Sequence, residues 1–192
     1  MTSQAYRQWT GERARKLDEI QASHAAFGGT GRGRRFTTLQ INQSYAVMLC
    51  AQFQGFCRDL HDECGDHFVL SLSPEALRTT IGKLLQQGRK LDHGNPNPGH
   101  LGSDFGRFGI DFWPEVEARY NRATTWKAHL ETLTHWRNAI AHQDFRSKEL
   151  QGIDTLTLKH VKQWRKACQD LAQAFDAVMY DYLQEATGTA PW

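Results

Sequence analysis

The chain has 192 residues, 40% of them apolar and 23% charged, which is enough to enclose one proper core at ordinary globular composition. Its formal charge of +2, from 23 basic and 21 acidic side chains, does not announce a nucleic-acid binder, so any attraction for phosphate has to come from local clustering. Cys50, Cys57, Cys64 and Cys168 form no C-x-x-C pair, the start Met1-Thr2-Ser3-Gln4-Ala5 has no apolar secretory run, and no apolar stretch approaches the ~20 residues of a membrane span, so the expectation is a cytoplasmic chain with free thiols and no membrane segment.

Apolar residues recur at helical spacing almost throughout, and β-branched runs with two-residue alternation are missing. This predicts an all-α fold, a single bundle of about five to six helices. A first helix is expected over about 3–27, carried by Tyr6, Trp9, Leu17 and Ile20, and its low apolar density leaves it free to lie outside the main bundle. The run Gly28-Gly29-Thr30-Gly31-Arg32-Gly33-Arg34-Arg35 breaks it. Residues 1–35 are therefore set apart, as an N-terminal helix and Gly/Arg-rich linker, from a helical domain over 36–192. The linker follows no strand and lacks a Lys-Ser/Thr ending, which argues against a phosphate-cradling loop; Arg32, Arg34 and Arg35 are either a basic strip for RNA phosphates or part of a solvated linker.

The second helix should start near Thr37 or Thr38 and bury Ile41, Tyr45, Met48, Leu49, Phe53, Phe56 and Leu60. Ser73-Pro74-Glu75 reads as a start signal with a capping hydroxyl, and Leu77, Ile81, Leu84 and Leu85 supply a core face up to Gly88. Residues 88–109, rich in Gly, Pro and Asn around Asn95-Pro96-Asn97-Pro98-Gly99, are expected to form a long loop. A short helix around Trp113 to Asn121 leads through an N-cap at Thr124 or Thr125 into a helix that ends near His142. After a polar turn over 143–152 the last helix is the most regular, with Val161, Trp164, Cys168, Leu171, Phe175, Val178 and Tyr182 at alternating steps of three and four, a seam for another helix of the same or a second chain.

The hexapeptide Arg137-Asn138-Ala139-Ile140-Ala141-His142 carries the chemistry. An always-charged guanidinium can neutralise a phosphate, and an imidazole titrating near neutrality can move a proton; together they are the minimum kit for cutting RNA without a metal. On a regular helix Arg137 shares the apolar sector of Trp126, Leu130, Leu133 and Ile140, whereas His142 is rotated about 140° from it at 100° per residue. Two arrangements bring them together: a distortion of the helix near Ala141, or a symmetric dimer whose groove takes an Arg and a His from both chains. His135, Asn138 and His142 line up on the other side, so Asn138 is expected to orient His142, or the three form a solvated polar face, the reading favoured for His135.

Arg, a polar residue, three more and then His resembles the signature of the HEPN superfamily (higher eukaryotes and prokaryotes nucleotide-binding domains). The resemblance extends to the stretch from Phe36-Thr37-Thr38-Leu39-Gln40 to Asp59-Leu60-His61-Asp62-Glu63, the segment Leu91-Asp92-His93-Gly94-Asn95-Pro96, and the span from Thr157 to Trp164, about 36–185 in all. These look like the prokaryotic RiboL-PSP-HEPN branch, found with antiphage and toxin systems. The resemblance implies a helical bundle, a composite site across a two-helix dimer interface, RNA as substrate, Arg137, Asn138 and His142 as catalytic residues, and a possible antitoxin or regulatory partner.

Other constellations carry less. Cys57, His61, Cys64 and His67, with Cys50 in the same row, have spacings that suit zinc, yet cysteine spaced by sevens on an amphipathic helix is usually core filler, so no metal site is assigned and no cofactor is expected. Trp113, Trp126, Trp136 and Trp164 sit at core spacing rather than as base-stacking platforms. The reading is a metal-independent endoribonuclease that works as a homodimer; the alternative is a non-catalytic nucleotide- or RNA-binding or adaptor module of the same type.

Overall fold

The computed structural model describes residues 1–27, 36–146, 148–150 and 152–192. Arg32, Arg34 and Arg35 lie outside the described residues. Among the described residues every regular element is helical. α1 (Gln4–Gln8) passes through a π-helical turn (Trp9–Arg13) into α2 (Ala14–Phe27), followed by α3 (Phe36–Leu70), α4 (Glu75–Gln86), α5 (Pro98–Phe105), α6 (Phe112–Arg119), α7 (Ala123–His142) and α8 (Leu158–Thr187). No described helix is long and apolar enough to cross a membrane.

The long helices α3 and α8 pack together, and α7 lies against both. Tyr45, Leu49, Phe53, Phe56 and Leu60 of α3 are fully buried, as are Val161, Trp164, Cys168, Leu171, Phe175 and Val178 of α8. The regular seam of the last helix is thus filled by its own chain. Phe175 sits at its centre, with ring centroids 4.8 Å from Phe112, 5.6 Å from Trp113 and 6.2 Å from Phe53 and from Phe105. Burial of such a ring stabilises by roughly 1.5–3 kcal/mol, and the tilted contacts add to it.

The N-terminal helix, which its sparse apolar content left free to lie outside the bundle, packs against α3 and α8. Polar contacts compensate for the few apolar ones. Glu63 accepts the backbone N–H groups of Gln4 and Ala5 at 2.7 and 2.9 Å, and Ser3 caps Tyr6 at 3.0 Å while donating its own N–H to Asp176 at 3.1 Å. The orphan donors of the first turn therefore find tertiary acceptors. Trp9 is 2% exposed between Phe53 and Phe56. Arg13 lies over Gly55, where a Cβ would come within 2.5 Å of its Nη1, and reaches Asp59 at 2.6 Å.

Expectations for three segments need correction. Residues 88–109 are not a structureless loop: they hold α5 and 3₁₀ turns over Lys90–Asp92 and Gly106–Phe108. Asn97 accepts the N–H of His100 at 2.8 Å and Pro98 follows in the first turn, a complete helix start. Gly102 serves close packing, since a Cβ there would meet Trp113 Cδ1 at 3.1 Å. α4 is capped differently from expectation: Pro74 is its N-cap with no side-chain hydrogen bond. Of its four expected core residues only Leu85 is fully buried, while Leu77 and Leu84 are 45% and 58% exposed. α7 also starts earlier, at Ala123 after Arg122, with no threonine cap.

A buried cluster fixes the segment that leads into α5. Asp104, fully buried, accepts the N–H groups of Lys90 and Leu91 at 2.9 and 2.8 Å. His61 lies between the Asp104 carbonyl, 3.1 Å from Nε2, and Arg89, whose Nη1 is 3.3 Å from Nδ1. Because a carbonyl only accepts and a guanidinium only donates, the proton is on Nε2 and the ring is neutral. Burial, with the Arg89 charge beside it, pushes the imidazole down to about 4. Arg89 is neutralised in turn by Asp62 at 2.6 Å and Asp92 at 2.9 Å. The cysteine row is equally committed: Cys57 and Cys64 are buried free thiols whose burial pushes them well above their ordinary range, and His67 bonds Thr187 at 3.0 Å.

Candidate functional site

α7 positions the motif. Its sequence interleaves Leu130, Leu133, Trp136 and Ala139, all buried, with an exposed polar stripe, so the helix is clamped along its length while Asn138 and His142 face outward. The helix ends in a C-terminal turn of the Schellman type: the N–H of Asp144 bonds the carbonyl of Ala139 at 3.0 Å and that of Gln143 the carbonyl of Ile140 at 3.4 Å. Gln143 takes the left-handed conformation, φ 54°, where glycine is usual, and its side chain bonds Ile140 O at 2.7 Å.

Arg137 is half-buried against α3, close enough for its charge to act on the Cys50 thiol, which burial nonetheless pushes up to about 12. Its guanidinium donates from Nη1 to Oδ1 of Asn138 at 3.2 Å. Among the described residues no carboxylate pairs with it. Several other part-buried cations of the bundle behave differently: Arg13 pairs with Asp59, Arg89 with Asp62 and Asp92, Arg165 with Asp18, and Lys127 with Glu117, while Arg78 donates to the Leu72 carbonyl. A half-buried guanidinium facing only a neutral amide retains the charge that a phosphate would neutralise.

Asn138 Oδ1 also accepts from Nδ2 of Asn95 at 2.5 Å, so the segment before α5 is tied to the motif. The expected contact between Asn138 and His142 is not among these: no hydrogen bond of the described residues joins them. His142 is exposed at the last helical position, and α7 is α-helical through it, so the structure shows no distortion near Ala141 that would bring His142 round to Arg137. His135, expected on a solvated polar face, pairs instead with Glu149 at 2.9 Å. Trp113, Trp136 and Trp164 are core residues, and Trp126 is partly buried against the same cluster.

Sequence spacing missed Asn95, 43 residues from Asn138, because loop residues carry no periodicity to read. A cavity of about 840 Å³ opens elsewhere, between α6 and α8. Asp111, Glu115, Asp181 and Glu185 line it with one cation, Arg119, which pairs with Asp181; the remaining carboxylates disfavour a phosphodiester, and the motif residues are not part of it.

No curated protein and no solved structure matches this chain. A family model does, over residues 12–181, so most of the chain, including α3, α7 and the greater part of α8, falls within it. The chain belongs to the RiboL-PSP-HEPN family, and thus carries a HEPN-type domain.

Proposed function

We propose that this chain is a metal-independent endoribonuclease. Membership of the HEPN family supports an RNA-related function, nuclease or binding, in general. The observation that favours cleavage is the unpaired state of Arg137. A guanidinium held by Asn138 and left without a carboxylate is preorganised for the charge that accumulates on a phosphorane. The ribose 2′-OH attacks the adjacent phosphorus, His142 transfers a proton as general base or acid, and Arg137 offsets the charge on the non-bridging oxygens. Products carry a 2′,3′-cyclic phosphate and a 5′-OH. Asn138, bonded to Arg137 and Asn95, acts on the guanidinium.

With Arg137 and His142 on different faces of a regular helix, the assembly that fits best is a homodimer whose groove combines residues of both chains through an isologous twofold contact. A toxin or antiphage role, with an antitoxin or other regulatory partner, adds control without changing the chemistry. Incubation of the purified protein with mixed RNA in EDTA tests the reading: cleavage to cyclic-phosphate ends, and none of a 2′-deoxy substrate, is expected. Binding of RNA without cleavage would favour the adaptor module, and cleavage restored only by added metal would contradict the mechanism.

A further inference from the structure

Cleavage by 2′-OH attack requires two proton transfers, one from the nucleophile and one to the leaving oxygen, and the motif supplies one imidazole. A second stands on the same hydrogen-bonded chain as Arg137. His100 Nδ1 lies 2.7 Å from the carbonyl oxygen of Asn95. The side chain of the same Asn95 donates to Asn138 Oδ1 at 2.5 Å, and Arg137 donates to that oxygen at 3.2 Å. Because the Asn95 carbonyl only accepts, Nδ1 carries the proton and Nε2 presents its lone pair. No hydrogen bond among the described residues uses Nε2, and His100 is partly exposed.

The ring is held sterically as well. It lies against Gly94, where a Cβ would come within 2.6 Å of Cε1 and 2.9 Å of Nδ1. His100 is the third residue of α5, whose start is fixed by the Asn97 cap. The segment entering α5 is anchored by the Arg89, His61 and Asp104 cluster. His61, by contrast, has both nitrogens occupied, and His67, His135 and His160 each spend a nitrogen on a side-chain partner.

We infer that His100 is a second proton-transfer residue of this site, with Asn95 positioning both its imidazole and the Asn138–Arg137 pair; this rests on the endoribonuclease reading. Nε2 of His100 takes the proton of the 2′-OH as the O2′–P bond forms. The P–O5′ bond breaks, and the imidazolium of His142 gives its proton to O5′. One proton passes from His142 to His100 per turnover, and exchange with water resets both.

The test uses His100→Asn, whose side-chain amide still donates to the Asn95 carbonyl but cannot accept the proton. The variant is expected to melt like the wild type and keep KM, to lose at least about a hundredfold in kcat, and to lose the acidic limb of the kcat profile against pH. A uridine 3′-(4-nitrophenyl phosphate) substrate, whose leaving group needs no acid, separates the two histidines: His142→Ala should cleave it close to the wild-type rate, and His100→Asn should stay slow. The reverse pattern overturns the assignment. Folded His100→Asn that cleaves RNA like the wild type, while His142→Ala does not, overturns the proposal and leaves the nuclease reading standing. Wild-type protein inert on both substrates overturns both. If His100→Asn fails to fold, Gly94→Ala, which displaces the ring without altering it, carries the same expectation, and wild-type kcat in that variant overturns the proposal.

Discussion

Two arginine–histidine neighbourhoods of the bundle have opposite character. Arg89 and His61 are buried at 7% and 1% exposure, with the guanidinium shared between Asp62 and Asp92 and the imidazole held neutral with both nitrogens engaged. Arg137, His142 and His100 have the same residue types, but among the described residues the guanidinium bonds only an amide, His142 is exposed at a helix end, and no hydrogen bond uses His100 Nε2. Residue type does not separate the two. What separates them is satisfaction: a charge already neutralised holds the fold together, and one left unneutralised is available to a ligand.

The sharpest way to break this comparison is pH. The folded His61 binds its proton only near 4, against 6.5 for the ordinary imidazole. Between those values the unfolded chain holds more protons than the folded one. The His61 contribution is therefore complete above about pH 6.5 and is lost as pH falls towards 4, a swing of about 3 kcal/mol. His61→Gln, whose amide both accepts from Arg89 and donates to the Asp104 carbonyl, should flatten that part of the stability curve measured by urea unfolding. An unchanged slope would mean that His61 binds its proton equally well in the folded and unfolded chain.

Arg89→Ala comes next. It leaves Asp62, Asp92 and His61 Nδ1 without their donor, and because both aspartates are a third or more exposed, the cost is about 2 kcal/mol rather than that of a fully buried pair. Thermal unfolding should shift down by several degrees. Arg137→Ala, which breaks no ion pair among the described residues, should shift it little. Equal shifts for the two variants would erase the distinction between the neighbourhoods.

The smallest effect is expected at the helix end. Gln143→Gly relieves the left-handed backbone at φ 54°, but removes the bond to Ile140 O and loosens the unfolded chain, leaving a net gain of roughly 0.5 kcal/mol. Retained cleavage in that variant would show that the strained residue serves to end α7 at His142; lost cleavage would give Gln143 a part in the chemistry.

Periodicity made the frame legible. The steps of three and four in α8 and the apolar stripe of α3 are direct images of buried faces, and Arg137 and His142 were found because they share one helix. α5 was hidden because Gly99 and Gly102 read as loop punctuation; Gly102 instead lets the helix approach Trp113, a tertiary reason that composition does not reveal. In α4, Leu77 and Leu84 fit the helical pattern yet remain exposed, since a pattern shows which face is apolar and not whether anything covers it. Asn95 was hidden for a further reason: it meets the motif through a hydrogen bond across the fold, between elements with no shared sequence register, and His100 is linked to the motif only through the Asn95 carbonyl.

The most direct measurement of the central claim compares RNA cleavage and stability in the same Arg137→Ala protein. The account predicts unfolding within about 0.5 kcal/mol of wild type, as for a residue that abandons one exposed hydrogen bond and no ion pair among the described residues, together with cleavage lowered at least about a hundredfold in EDTA. A folded Arg137→Ala protein that cleaves RNA at the wild-type rate would contradict it.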